Sequence, residues 1–224
     1  MIFGFFLFLM ILSYIVQYRL KSKFKKYSQM PIAQGMTGKD VAERMLQSNN
    51  IKDVKVLSTS GRLTDHYNPA NKTINLSEDV YGTCSVAAAA VAAHECGHAV
   101  QHAESYAWLQ FRSAIVPVIS FASNWVQWVL LAGILLIEVF PYLLVAGVVL
   151  FAMTTLFSFI TLPVEINASK RALAWLSTSG LTTAANDEAA KDALKSAAYT
   201  YVVAALGSLA TLLYYVMILL GRRD

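Results

Sequence analysis

The sequence predicts a mainly α-helical, multi-pass membrane protein. About four transmembrane helices are expected, with a helical extramembrane core that carries a small β-hairpin or sheet. Three observations predict this. Hydrophobic residues make up 56% of the 224, with a mean hydropathy of +0.49, too apolar for an ordinary soluble domain. Four apolar runs approach or exceed the length of a membrane-spanning helix. Between the first and second runs lies a long, Ala-rich, proline-free stretch, residues 85–112, that reads as helix.

The first run, residues 2–18, is 17 residues long and almost wholly apolar. Its positive charges follow it, and residues 19–26 offer no small-residue cleavage site, so an uncleaved N-terminal anchor over residues 1–18 is expected. The basic run "RLKSKFKK" beside it is the grammar of a membrane flank and argues against nucleic-acid binding.

Residues 19–114 form the extramembrane region. "MTGKDVAERMLQSNN" predicts a helix capped by Thr37 with Asp40 three residues on, and Val41, Met45 and Leu46 share its inner face. "VKVLST" predicts a short strand, and "LTDHYNPANKTINLS" a hairpin turning at Asn68-Pro69. Ser85 then opens the Ala-rich helix, expected to run to Arg112. Residues 115–137 and 143–162 are apolar, and the short break between them holds Glu138 and Pro141, so residues 115–162 predict a transmembrane hairpin. A new helix is expected to start at Pro163. It belongs to a connector, residues 163–197, that leads to a C-terminal transmembrane helix within residues 198–224. Of the 18 Lys and Arg residues, sixteen flank one proposed side, between Arg19 and Arg112 or between Lys170 and Lys195. Only Arg222 and Arg223 fall on the other. The positive-inside rule therefore puts residues 19–112 and 165–197 in the cytoplasm. Cys84 and Cys96 are too few for a disulfide framework, and both read as small buried side chains without chemistry.

The chemistry lies in "AAHECGHAVQH". A spacing of four puts His94 and His98 on one helix face, where two imidazoles can chelate one metal ion. With Glu95 between them this is the H-E-x-x-H pattern: two Zn²⁺ ligands and a general base. Zinc lowers the pKa of coordinated water toward ~7, and the carboxylate can take its proton and pass it to a leaving amine. A third protein ligand is needed. His102 sits about two turns from His94 on a straight helix, too far to close one site with it. Glu165 is the better candidate, because the chain crosses the membrane twice between His98 and Glu165 and returns to the same side. The small residues Ala168, Ser169 and Ala172 would let its helix approach the metal helix. His66 or Tyr67 could donate to the oxyanion of a tetrahedral intermediate, and "KTINLS" is the candidate strand edge for an added peptide.

"HECGHAVQH", "LTDHYNP" and "LPVEINASKRAL" together resemble the bacterial neutral zinc metallopeptidases of the YugP type, over nearly the whole chain. The resemblance implies a multi-pass membrane protein related in plan to gluzincin membrane proteases that cleave prenylated or misfolded membrane substrates. It implies one Zn²⁺ per chain held by His94, His98 and Glu165, with Glu95 catalytic. The broader gluzincin pattern often places Asp four residues after the glutamate ligand, where this chain has Ser169. The expected function is a membrane-integrated zinc endopeptidase acting on membrane-associated polypeptides at the cytoplasmic membrane surface. Its partners would be the lipid bilayer, the polypeptide substrate and, where activity is controlled, a regulatory membrane partner. Two other readings stand beside it: a zinc-dependent hydrolase of a small amide or lipid, and a non-catalytic zinc-containing scaffold.

Overall fold

A computed structural model describes residues 2–32 and 35–221. Helix α1 (Ile2–Tyr27) leads to α2 (Gly38–Ser48), strands β1 (Lys55–Thr59), β2 (His66–Asn68) and β3 (Thr73–Ser77), and the short α3 (Glu78–Tyr81). Then come α4 (Val86–Ala103), α5 (Ala107–Leu135), α6 (Tyr142–Thr178) and α7 (Ala184–Leu220).

The predicted caps set two of these helices. Thr37 accepts from the Asp40 N–H while the Asp40 carboxylate accepts from the Thr37 N–H, a complete capping box on α2. Ser85 caps α4 through the Ala88 N–H. Fourteen of the 18 residues of α4 are buried, so neighbours surround it and only small side chains fit, which is why it is built of alanine. Val41, Met45 and Leu46 of α2 pack into the core beside it, with Ile74 and Leu76 of β3 and Leu176 of α6.

The sheet differs from expectation in one respect that matters. Its order is β1-β3-β2, with β1 parallel and β2 antiparallel to β3. The hairpin is present, but "KTINLS" lies in the centre of the sheet, paired on both sides. Its main-chain groups are therefore taken, and the free edges belong to β1 and β2.

Two helix boundaries also differ. The Ala-rich helix does not continue to Arg112. It ends at Ala103, where Ser105 takes a left-handed φ of 56° and the Tyr106 N–H returns to the Gln101 carbonyl. The chain then turns out of the core into α5. In contrast, no new helix starts at Pro163: α6 runs unbroken for 37 residues with Pro163 inside it. A proline is tolerated in a spanning helix, where neighbouring groups can satisfy the freed carbonyl. Cys96 is buried as expected, whereas Cys84 is exposed on the turn before α4.

Among the described residues three helices, α5, α6 and α7, are long and apolar enough to cross a membrane, against about four expected. The N-terminal run forms most of α1 and packs along α7, with Phe6 edge-on to Tyr214 and Lys23 bonded to Asp192. Its 17 apolar residues cover about 26 Å at 1.5 Å per residue, at the short end for a spanning helix. The spanning helices leave Phe121, Trp125, Trp128 and Leu213 exposed, surface that lipid would cover. α5 and α6 close tightly on each other where Gly133 meets the Leu144 backbone; a Cβ there would stand 2.6 Å from the Leu144 Cα. Arg222 and Arg223, the two charges that oppose the orientation rule, lie outside the described residues.

Candidate metal centre

Helices α4 and α6 cross at the site. Gly97, between the two histidines, makes this approach: a Cβ built on it would lie 2.6 Å from the Ala168 carbonyl oxygen. Ala168 and Ala172 are fully buried on the facing side. The small residues read from the sequence therefore do bring the two helices together.

The crossing assembles His94, His98 and Glu165, whose ligand atoms all lie within 4.8 Å of one another. Glu165 Oε2 is 3.3 Å from His94 Nε2 and 3.6 Å from His98 Nε2. A tetrahedral zinc with bonds of about 2.0–2.1 Å spaces its donors about 3.3 Å apart. The three residues fit that group in type and in spacing.

The far ring nitrogens are fixed as well. His94 Nδ1 is 3.1 Å from Ser169 Oγ. His98 Nδ1 is 3.0 Å from Gln101 Oε1. The amide nitrogen of Gln101 donates to the Val164 carbonyl at 2.8 Å and to Asn167 Oδ1 at 2.9 Å. A carbonyl only accepts, so the Gln101 amide cannot be flipped and its oxygen must face His98. His98 therefore donates from Nδ1 and presents Nε2 to the site, and the Ser169 hydroxyl, which can accept, allows His94 the same tautomer, the one a metal ligand requires. Ser169 occupies the place where the broader pattern has Asp, and its hydroxyl oxygen can accept there as a carboxylate would. Arg171 extends the network, bonding Asn167 at 2.7 Å and Glu104 at 2.6 Å.

Electrostatics favour a cation here. Burial works against a charge on His98. The Glu165 hydrogen bond and the fields of Glu95 and Glu165 outweigh it and hold the imidazole above its ordinary pKa.

Glu95 is buried beside the ligands, and its Oε2 accepts the Tyr67 main-chain N–H at 2.9 Å. That N–H points away from β3, so the free edge of β2 faces the metal helix. The side chains of the other two expected residues are engaged elsewhere. The Tyr67 hydroxyl meets His102 Nδ1 at 2.7 Å. His66 Nδ1 lies 2.7 Å from the Thr64 carbonyl and its Nε2 3.2 Å from Asn75. His102 is thus held by Tyr67 and stands apart from the ligand cluster.

Two residues of the site escape sequence reasoning. Arg112 Nη1 on α5 lies 3.6 Å from Glu165 Oε1, the oxygen turned away from the histidines. The Tyr201 hydroxyl on α7 faces Glu165 and feels the charges of Glu165, Glu95 and Arg112. From the far ends of their helices, at Leu135, Tyr142 and Leu220, Arg112, Glu165 and Tyr201 are 23, 23 and 19 residues distant. That is about 34, 34 and 28 Å at 1.5 Å per residue. All three sit about one hydrocarbon thickness (~30 Å) from the other end of the bundle. This common depth is the signal that could have found them.

Comparison with known proteins agrees with this geometry. Residues 2–220 match the model of a family described as "Putative neutral zinc metallopeptidase". The chain is 44% identical over 213 residues to "Putative membrane protease YugP" of Bacillus subtilis (strain 168), covering 95% of this chain and 94% of that protein. No solved structure matches.

Proposed function

Since the chain belongs to this family of neutral zinc metallopeptidases, we propose that it is a membrane-integrated endopeptidase that cleaves membrane-associated polypeptides at the cytoplasmic membrane surface. The observation that carries this reading is the buried His94–His98–Glu165 cluster with Glu95 beside it, on a bundle whose helices α5, α6 and α7 are long and apolar enough to cross a membrane.

His94, His98 and Glu165 would hold the metal through Nε2, Nε2 and Oε2. Zinc bound there supplies Lewis acidity, which polarises a carbonyl and acidifies water. Glu95 takes the proton from the attacking water and passes it to the leaving amine. The Tyr67 N–H anchors one oxygen of Glu95, so the other is the one that moves the proton. Arg112 holds Glu165 Oε1, which turns Oε2 toward the histidines. The Tyr201 hydroxyl is the candidate donor to the oxyanion, because the hydroxyl of Tyr67 and the ring of His66 already have other partners. An extended peptide would enter along the free edge of β2, whose position against α4 supports a polypeptide substrate over a small amide or lipid.

Detergent-purified protein offered peptides from membrane proteins should generate new peptide termini, and Glu95→Gln should not. Release of fatty acid from phospholipids or N-acyl amides, without peptide cleavage, would transfer the site to a lipid or amide hydrolase.

A further inference from the structure

A second site lies between α1 and the sheet, apart from the metal centre. A cavity of about 790 Å³ is lined by Leu20, Lys21, Phe24 and Lys25 of α1 and by Arg62 and Leu63 of the β1–β2 connection. We propose that this cavity binds an anionic phospholipid of the adjacent leaflet, its phosphate on Lys21 and Lys25 and its apolar part against Leu20, Phe24 and Leu63.

The charges favour this occupant. Lys21 and Lys25 are four residues apart and share one face of α1. Nearby lysines are already used: Lys23 bonds Asp192 at 2.7 Å and Lys26 lies over the Tyr27 ring. Among the described residues the ammonium groups of Lys21 and Lys25 pair with no carboxylate and lie over no ring, unlike those of Lys23 and Lys26. Arg62 is paired with Asp79 at 2.8 Å, so the cavity keeps two excess positive charges.

The apolar wall and its height add to this. Leu63 is 55% exposed and holds a left-handed φ of 58°, a conformation that large side chains rarely adopt. A mobile polar loop needs no such arrangement, whereas a lipid chain would cover this side chain. Leu20 is two residues beyond Tyr18, the last residue of the apolar run, so the cavity opens within about two helical turns of the bilayer edge. Lysines alternating with apolar side chains on a helix that leaves the membrane suit a molecule that is itself half headgroup and half hydrocarbon. An acidic peptide would use the charge and leave the wall uncovered.

The test titrates full-length protein in detergent with dioleoyl phosphatidylglycerol or dioleoyl phosphatidylcholine and reads bound lipid by native mass spectrometry. Wild-type protein should hold one phosphatidylglycerol at least tenfold more tightly than phosphatidylcholine. Lys21→Gln/Lys25→Gln should weaken phosphatidylglycerol about 30-fold, the product expected for two basic residues at a lipid surface. Lys52→Gln/Lys55→Gln removes the same charge from the start of β1 and the chain just before it, and should change binding less than threefold. Leu63→Ser should also weaken the lipid, and glycerol 3-phosphate should not compete. Equal losses in the two double variants would reduce the effect to diffuse attraction and overturn the site. So would equal affinity for the two lipids, or displacement of phosphatidylglycerol by a soluble acidic peptide. Thermal melting of each variant separates a lost site from a lost fold.

Discussion

Gly97→Ala alters the metal centre without touching a ligand. The added methyl would lie 2.6 Å from the Ala168 carbonyl oxygen, against at least 3.4 Å for ordinary contact, so the helices must part by about 0.8 Å. Neither side can yield by rotating a side chain, because the obstacle is backbone. The strain reaches the ligands directly: Gly97 adjoins His98, and Glu165 is one turn before Ala168 on the same face of α6. Metal sites hold their ligand distances to about 0.2 Å, so a 0.8 Å separation exceeds what the cluster tolerates. Alanine gains about 1 kcal/mol in helix propensity, and overpacking costs about 1–3 kcal/mol. The net loss of fold stability is therefore at most about 2 kcal/mol. Zinc affinity should fall further, by about 10–100-fold, the range seen when the groups supporting metal ligands are disturbed. Competition against a chromophoric chelator measures it, with melting curves taken with and without zinc. Gly207→Ala is the control, since a Cβ there meets nothing within 4 Å. A Gly97→Ala protein that is folded and binds zinc as tightly as wild type would show that the crossing distance does not set the site.

Glu165→Ala should lose zinc in detergent, while His102→Ala, whose partner is Tyr67, should keep about one equivalent by atomic emission; full zinc in Glu165→Ala would remove it as a ligand. Glu95→Gln should keep the metal and lose hydrolysis, because an amide cannot relay the proton, and wild-type turnover in that variant would exclude Glu95 from the reaction. Tyr201→Phe should lower kcat by about 10²-fold or more with little change in KM, as for an oxyanion donor; an altered KM alone would make it a binding residue. A cysteine at Val139 should react with an impermeant thiol reagent on intact cells and one at Lys55 should not, and the reverse pattern would invert the orientation.

What the sequence disclosed was local chemistry and the arithmetic of membrane crossings. The spacing of His94 and His98 needs only helix geometry, and Glu165 follows from counting spans. The caps at Thr37 and Ser85 and the turn at Asn68-Pro69 are likewise written in neighbouring residues. What stayed hidden depends on partners far away in the chain. β3 is central because β1 returns to it in parallel, and no strand pattern announces a parallel neighbour. The end of α4 carries no Gly; Ser105 adopts the left-handed turn because the core ends there. Pro163 reads as a helix start in water, yet it sits inside a helix in a bundle. Arg112 and Tyr201 are 53 residues before and 36 residues after Glu165, and only the packing of α5, α6 and α7 brings them to one carboxylate.

The unbroken course of α6 makes it a phase-locked shaft. Near one end, Leu144 is keyed against Gly133 in the membrane hairpin; near the other, Glu165 is keyed against two imidazoles. Between those keys each residue contributes about 100° of rotation and 1.5 Å of travel. Substitution within this interval leaves the phase intact, but inserting or deleting one residue must unseat one key or the other. A proline kink cannot absorb the change, because it bends the axis without restoring the angle. The interval should therefore accept wide changes in composition and none in length, except by whole turns that would also lift the carboxylate about 5 Å out of plane with Arg112 and Tyr201.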